Sequence, residues 1–100
     1  MIKFAEGYKE AIENETKQIT IRKGIVNNLF PGQIEETNIG VQLRIKSVVY
    51  STFIQITQKE LEDDGFISIT NCIMTMKKFY ADCELLDLCT IIRFEKVNGG

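Results

Sequence analysis

The run Lys17-Gln18-Ile19-Thr20-Ile21-Arg22 places an ammonium, a hydroxyl and a guanidinium within six residues. Groups of these types can move a proton, act as or orient a nucleophile, and hold developing negative charge. The chain has no His, so imidazole dyads, triads and metal sites are excluded, and any proton transfer falls to Lys, a carboxylate, Tyr or Cys. Asp64 is the natural carboxylate partner, and Lys17 is the amine to pair with it, because a carboxylate at a helix C-terminus is unfavourable unless a cation offsets it. The same residues also suit a solvated strand edge, with Lys17 as its guard, and Glu62, Asp63 and Asp64 also suit a solvated helix end. G-x-G-x-x-G, G-x-x-x-x-G-K-[ST] and H-E-x-x-H are all absent.

Positioning these groups is the task of the surrounding elements. Period-two alternation predicts a short strand from Ile19, with Ile19 and Ile21 on one side and Gln18, Thr20 and Arg22 on a polar face. Thr20 and Arg22 thus share a side, and Lys17 joins them only if the chain bends before Ile19. Upstream, Ile2 to Phe4 suits a short strand. The spacing of Phe4, Tyr8, Ala11 and Ile12 predicts a helix over residues 5–14, its first turn loosened by Gly7. Pro31-Gly32 is the strongest turn signal, within a long connection over residues 23–33. Val41, Leu43, Ile45 and Val49 alternate with Gln42, Arg44, Lys46 and Tyr50, which predicts a half-buried strand suited to antiparallel pairing. Phe53, Ile54 and Ile56 suit another short extended piece.

Thr57 and Glu60 fit a capping box that starts a two-turn helix. Gly65 would end it, with Phe66 opposite Leu61 in a Schellman contact, fixing Asp64 by backbone geometry. Ser68 can cap the next helix, whose face is Ile69, Cys72, Ile73, Met76, Phe79 and Tyr80. Asp82 and Glu84 fall in the loop beyond it. Thr90 to Val97 reads as the last strand and Asn98-Gly99-Gly100 as a frayed tail.

At 100 residues with 44% apolar content the chain supports a single domain with a real core, and disorder throughout is excluded. The net charge of −2 argues against an extensive phosphate-binding face. It is divided unevenly: seven Lys/Arg against six Glu in residues 1–50, five against eight acids in residues 51–100. An anion-facing surface is therefore expected in the first half. Cys72, Cys83 and Cys89 lack C-x-x-C spacing and a His, so no disulfide framework, structural zinc or other metal is expected. Cys72 reads as core. No apolar run approaches 18 residues and the first ten residues carry no signal-like segment, so we expect no membrane partner and a cytoplasmic protein. Tyr8, Phe30, Tyr50, Phe79 and Tyr80 lie near basic residues; most are better explained as core, although one stacking ring suffices for a single base.

The order of these features resembles the ASCH family, related to PUA-like β-barrels. The likeness runs from the first helix through the K-x-x-T-x-R piece at Lys17, Thr20 and Arg22, the Pro31-Gly32 turn, the strand at Val41 to Val49 and Asp64-Gly65-Phe66, to the closing strand at Thr90 to Phe94. It covers about residues 4–95. It implies an α+β fold: one small PUA-like β-barrel domain over residues 1–100, with about five to six mostly antiparallel strands and two to three helices.

Some small ASCH members resemble amidohydrolases acting on N4-acetylcytidine. Carried over residue by residue, the likeness implies Lys17, Thr20 and Asp64 as catalytic and Arg22, Phe66 and Tyr80 as substrate-binding, with RNA or a modified nucleoside as partner and no cofactor. Asp64 stands where those enzymes carry a glutamate, which shortens the carboxylate's reach by about 1.5 Å, enough to matter to proton transfer. Thr20, or a water it orients, would attack the acyl carbon with neutral Lys17 assisting. Arg22 would stabilise negative charge or grip a nucleobase carbonyl or phosphate. The alternative is a non-catalytic RNA-binding, protein-interaction or regulatory module that keeps the barrel.

Overall fold

The computed structural model describes residues 1–97, so the tail expected at Asn98-Gly99-Gly100 lies outside the described residues. The elements run α1 (Tyr8–Glu13), β1 (Ile19–Lys23), β2 (Ile34–Glu36), β3 (Gln42–Thr52), a 3₁₀ turn (Phe53–Gln55), α2 (Gln58–Asp64), α3 (Ile69–Met76) and β4 (Leu88–Lys96).

The sheet has the order β1-β4-β3-β2 with every pair antiparallel. It is a curled half-barrel of four strands, where five to six were expected. Two expected extended pieces do not become strands. Ile2 makes only an isolated parallel bridge to Thr37, and Phe53 begins the 3₁₀ turn. Conversely, β2 lies where no strand was expected, since Ile34-Glu35-Glu36 has little strand propensity of its own and is held by its pairing with β3.

Helix α1 starts three residues later than its apolar spacing suggests, because Gly7 takes the left-handed conformation (φ 95°) just before it. In β3 the expected alternation breaks at a register shift between Ile45 and Ser47. One extra residue reverses the faces downstream. Leu43 and Ile45 point into the core, but after the shift it is Val48 that packs inward, while Val49 is half exposed.

Two apolar clusters cover the two faces of the sheet. Ile19, Ile21 and Ile91 pack against Leu61 and Phe66 around α2 and Cys72 and Met76 of α3; Ile92, Phe94, Leu43 and Ile45 pack against Phe4 and Ile12. Strands β1 and β4 are consequently buried on both sides, and the polar face expected of β1 is not solvated: Thr20 is only 4% exposed.

The capping box forms in full, with Thr57 Oγ1 accepting from the Glu60 N–H and the Glu60 carboxylate accepting from the Thr57 N–H. The helix ends as its sequence predicts. Gly65 is left-handed (φ 107°), the Phe66 N–H donates to the Leu61 carbonyl (2.8 Å) and the Gly65 N–H to the Glu62 carbonyl (3.0 Å). This end of α2 is tied to β4 through Asp63, whose oxygens accept from Lys59 (2.8 Å) and Arg93 (3.0 Å).

Those hydrogen bonds, that of Lys59 first, hold the Asp63 carboxyl below the usual carboxylate range. A depressed folded-state value stabilises above the unfolded value, near 4, and the gain is lost as pH falls through the folded value. Because Lys59 is largely exposed, the gain is discounted to about 1 kcal/mol. Asp63→Asn is therefore expected to unfold more easily than wild type at pH 6, with the gap closing by pH 2.5. Thermal unfolding of both proteins across that range checks this, and a gap independent of pH overturns it.

Candidate functional site

Strand β1 is an edge strand, and its free edge is covered by the end of α2. The Gln18 N–H donates to the Asp63 carbonyl (2.7 Å), while the Gln18 carbonyl accepts from the Phe94 N–H (3.0 Å). The two backbone groups of Gln18 thus serve α2 and β4 respectively. This is the bend that Lys17 requires: Lys17 itself turns out of strand register, its N–H donating to the Ala11 carbonyl (3.0 Å).

The bend brings the Lys17 ammonium to Asp64. Nζ lies 2.5 Å from Asp64 Oδ1 and 3.1 Å from the Asp64 carbonyl oxygen, with the Tyr8 ring beneath it at 4.9 Å from the centroid. The other carboxylate oxygen, Oδ2, accepts from the Ile21 N–H at 2.9 Å, a backbone donor on the free edge of β1. Both side chains are about 5% exposed. The shorter aspartate does reach the amine, because the left-handed Gly65 ends α2 directly over the strand.

Burial pushes the Lys17 amine below its usual value against the opposing pull of Asp64, and pushes the Asp64 carboxyl above its own against Lys17. Both shifts favour the neutral amine and the protonated acid. The direction for Lys17, which residue types alone leave open, is thereby settled by its surroundings.

Thr20 Oγ1 accepts from Arg22 Nε at 2.9 Å, which leaves the hydroxyl proton free to donate. Arg22 Nη2 donates to the Lys3 carbonyl (2.7 Å), and the guanidinium stacks on the Phe4 ring at 5.2 Å. Among the described residues no hydrogen bond joins Thr20 to Lys17 or Asp64.

All six residues singled out from sequence, Lys17, Thr20, Arg22, Asp64, Phe66 and Tyr80, line one cavity of about 320 Å³ beside β1. Its remaining walls include Lys3, Phe4, Tyr8 and Phe79. Phe79 and Tyr80 correct an expectation: α3 ends at Met76, so these rings lie beyond the helix and are exposed by 64% and 41% rather than forming its core face. Lys23 Nζ sits 5.8 Å from the Tyr80 ring centroid. Phe30 and Tyr50 are also exposed rather than core, but they do not line the cavity. Lys3 and Phe4 escape sequence reasoning because their part depends on the N-terminal segment crossing to Arg22, which no local pattern encodes.

The thiols offer no alternative nucleophile. Cys72, Cys83 and Cys89 are free, fully buried in the same apolar cluster, and raised by that burial, Cys72 to about 12 and Cys89 to about 11. Among the described residues no group of three or more acids or thiols is placed to hold a metal ion, and no helix is long and apolar enough to cross a membrane.

No protein-family model matches the chain, and no curated protein does. Solved structures do match in fold. The hypothetical protein PH0355 superposes with a TM-score of 0.76 at 23% identity, over 95% of each chain. An ASCH domain from Lactobacillus crispatus JV V101 gives 0.71 at 14% identity, over 93% of this chain and 75% of that one. Protein EF3133 from Enterococcus faecalis V583, assigned to DUF984, gives 0.74 at 12% identity, over 88% and 68%. The chain thus shares a small α+β fold with an ASCH domain and with a DUF984 protein.

Proposed function

We propose that the cavity beside β1 binds a modified nucleoside and hydrolyses its exocyclic amide, with N4-acetylcytidine as the substrate. The observation that carries this reading is the buried Lys17–Asp64 pair opening onto the same cavity as the Thr20 hydroxyl. Burial that favours a neutral amine suits Lys17 to general-base work near a hydroxyl nucleophile. The cavity is at the small end of ligand sites, the size for one nucleoside, and the exposed Phe79 and Tyr80 rings supply stacking surface for its base.

In this mechanism neutral Lys17 takes the Thr20 proton as Oγ1 attacks the acyl carbon. The tetrahedral intermediate then breaks its C–N4 bond, and the Lys17 ammonium gives the proton to the departing N4 amine. Cytidine leaves, and an acetyl ester remains on Thr20. Water cleaves that ester by the same proton route and releases acetate. Asp64 holds the amine in place through Oδ1, and Arg22 orients Oγ1 through Nε.

A second reading, nucleoside or RNA binding without turnover, is favoured by the full engagement of Asp64, both of whose oxygens already serve Lys17 and Ile21. The two are separated by incubating the protein with N4-acetylcytidine and following cytidine and acetate, alongside a calorimetric titration. Turnover above the buffer rate, abolished in Lys17→Ala, is the expected result. Binding with no turnover transfers the assignment to the second reading, and neither binding nor turnover overturns both.

A further inference from the structure

The cavity reverses the sign of the chain. The protein carries a net charge of −2, yet this cavity is lined by Lys3, Lys17 and Arg22 against the single acid Asp64. Lys17 and Asp64 cancel each other, and they do so whichever of them holds the shared proton. Lys3 and Arg22 are left as a surplus of two positive charges. Among the described residues neither forms a salt bridge with a carboxylate. Of the five N–H donors of the Arg22 guanidinium, two are used, by Thr20 Oγ1 and the Lys3 carbonyl, so three have no protein acceptor among the described residues. A half-buried guanidinium over the Phe4 ring, held in place at one end and unsatisfied at the other, is arranged to receive an anion.

We propose that Arg22 and Lys3 form a seat for a phosphomonoester, so that the ligand of this cavity is a nucleoside 5′-monophosphate rather than an uncharged nucleoside. A phosphomonoester carries about −1.5 to −2 charge at neutral pH, which matches the surplus, whereas a phosphodiester linkage carries about half of that. The planar guanidinium fits two phosphate oxygens at once, and Lys3 adds a mobile point charge. The identity of the base rests on the nucleoside reading above; the anion seat rests on the charge surplus and the unused Arg22 donors.

The test is a set of titrations of the intact protein with N4-acetylcytidine, its 5′-monophosphate, ribose 5-phosphate and a cytidine dinucleotide. The monophosphate is expected to bind at least about tenfold more tightly than the nucleoside at low salt, the size of one charge-assisted hydrogen bond. That ratio should shrink as salt rises and in Lys3→Gln, and ribose 5-phosphate should compete with the monophosphate. Equal affinity for nucleoside and monophosphate overturns the anion seat and leaves the nucleoside reading standing. Binding of both monophosphates, with the nucleoside neither bound nor hydrolysed, upholds the seat and removes the nucleoside reading. Tighter binding of the dinucleotide than of the monophosphate overturns the monoester assignment.

Discussion

Asp64→Ala lowers the free energy of unfolding by about 3–5 kcal/mol, a large share of the stability available to a domain of this size. The loss has two sources. The Lys17 amine, about 5% exposed, loses its carboxylate partner and keeps only the residue 64 carbonyl and the Tyr8 face, so it must either hold its charge in a low-dielectric pocket or give up its proton, and both cost stability. The Ile21 N–H, on the free edge of β1, loses its acceptor. The substitution also exposes a distinction that deletion alone would hide. Removing one partner is costly, but replacing both by apolar side chains of similar size is often neutral. Lys17→Met/Asp64→Leu is therefore expected within about 2 kcal/mol of wild type while Asp64→Ala is not. Urea unfolding of the single and double variants reads this directly. If Asp64→Ala fails to fold, the double variant and Lys17→Met still complete the comparison. A loss under about 1 kcal/mol in both single variants would falsify the buried pair.

What was legible in the sequence is what local chemistry dictates. Thr57 with Glu60 and Gly65 with Phe66 fix both ends of α2 within a few residues of chain, so local sequence alone sets the position of Asp64 at the helix end. Strand parity demands a bend before Ile19 if Lys17 is to join Thr20, and the divided hydrogen bonds of Gln18 supply it. Features decided by distant partners were not legible. The three residues of β2 exist as a strand because β3 pairs with them, against the propensity of two glutamates. The register shift beside Lys46 inverts the faces of β3, and no Gly or Pro there marks it in the sequence. Phe79 and Tyr80 continue the helical spacing of α3, and no Gly or Pro marks its end, so the pattern overran the element and assigned two site-lining rings to the core. Lys3 and Phe4 reach Arg22 from nineteen positions away or less in sequence but through a fold-level crossing.

The remaining large effect concerns the reaction itself, and it discriminates a base from a mere charge. If Thr20 attacks and Lys17 takes its proton, Thr20→Val, which keeps the shape of a buried strand residue, lowers kcat by about 10³-fold or more. The rate on N4-acetylcytidine must also rise with pH. The base form of Lys17 is the neutral amine, which accumulates as pH increases through the folded value, and burial sets that value below the usual 10.5. The profile therefore climbs from acid pH and levels off before 10.5. Lys17→Arg keeps a cation opposite Asp64 but stays protonated at every accessible pH, so it is expected to be inactive throughout while its circular dichroism remains that of the wild type. A flat profile, or an active Lys17→Arg, shows that the amine serves as a fixed charge. Full activity in Thr20→Val removes the hydroxyl from the reaction and leaves water as the attacking group, with Lys17 as its base.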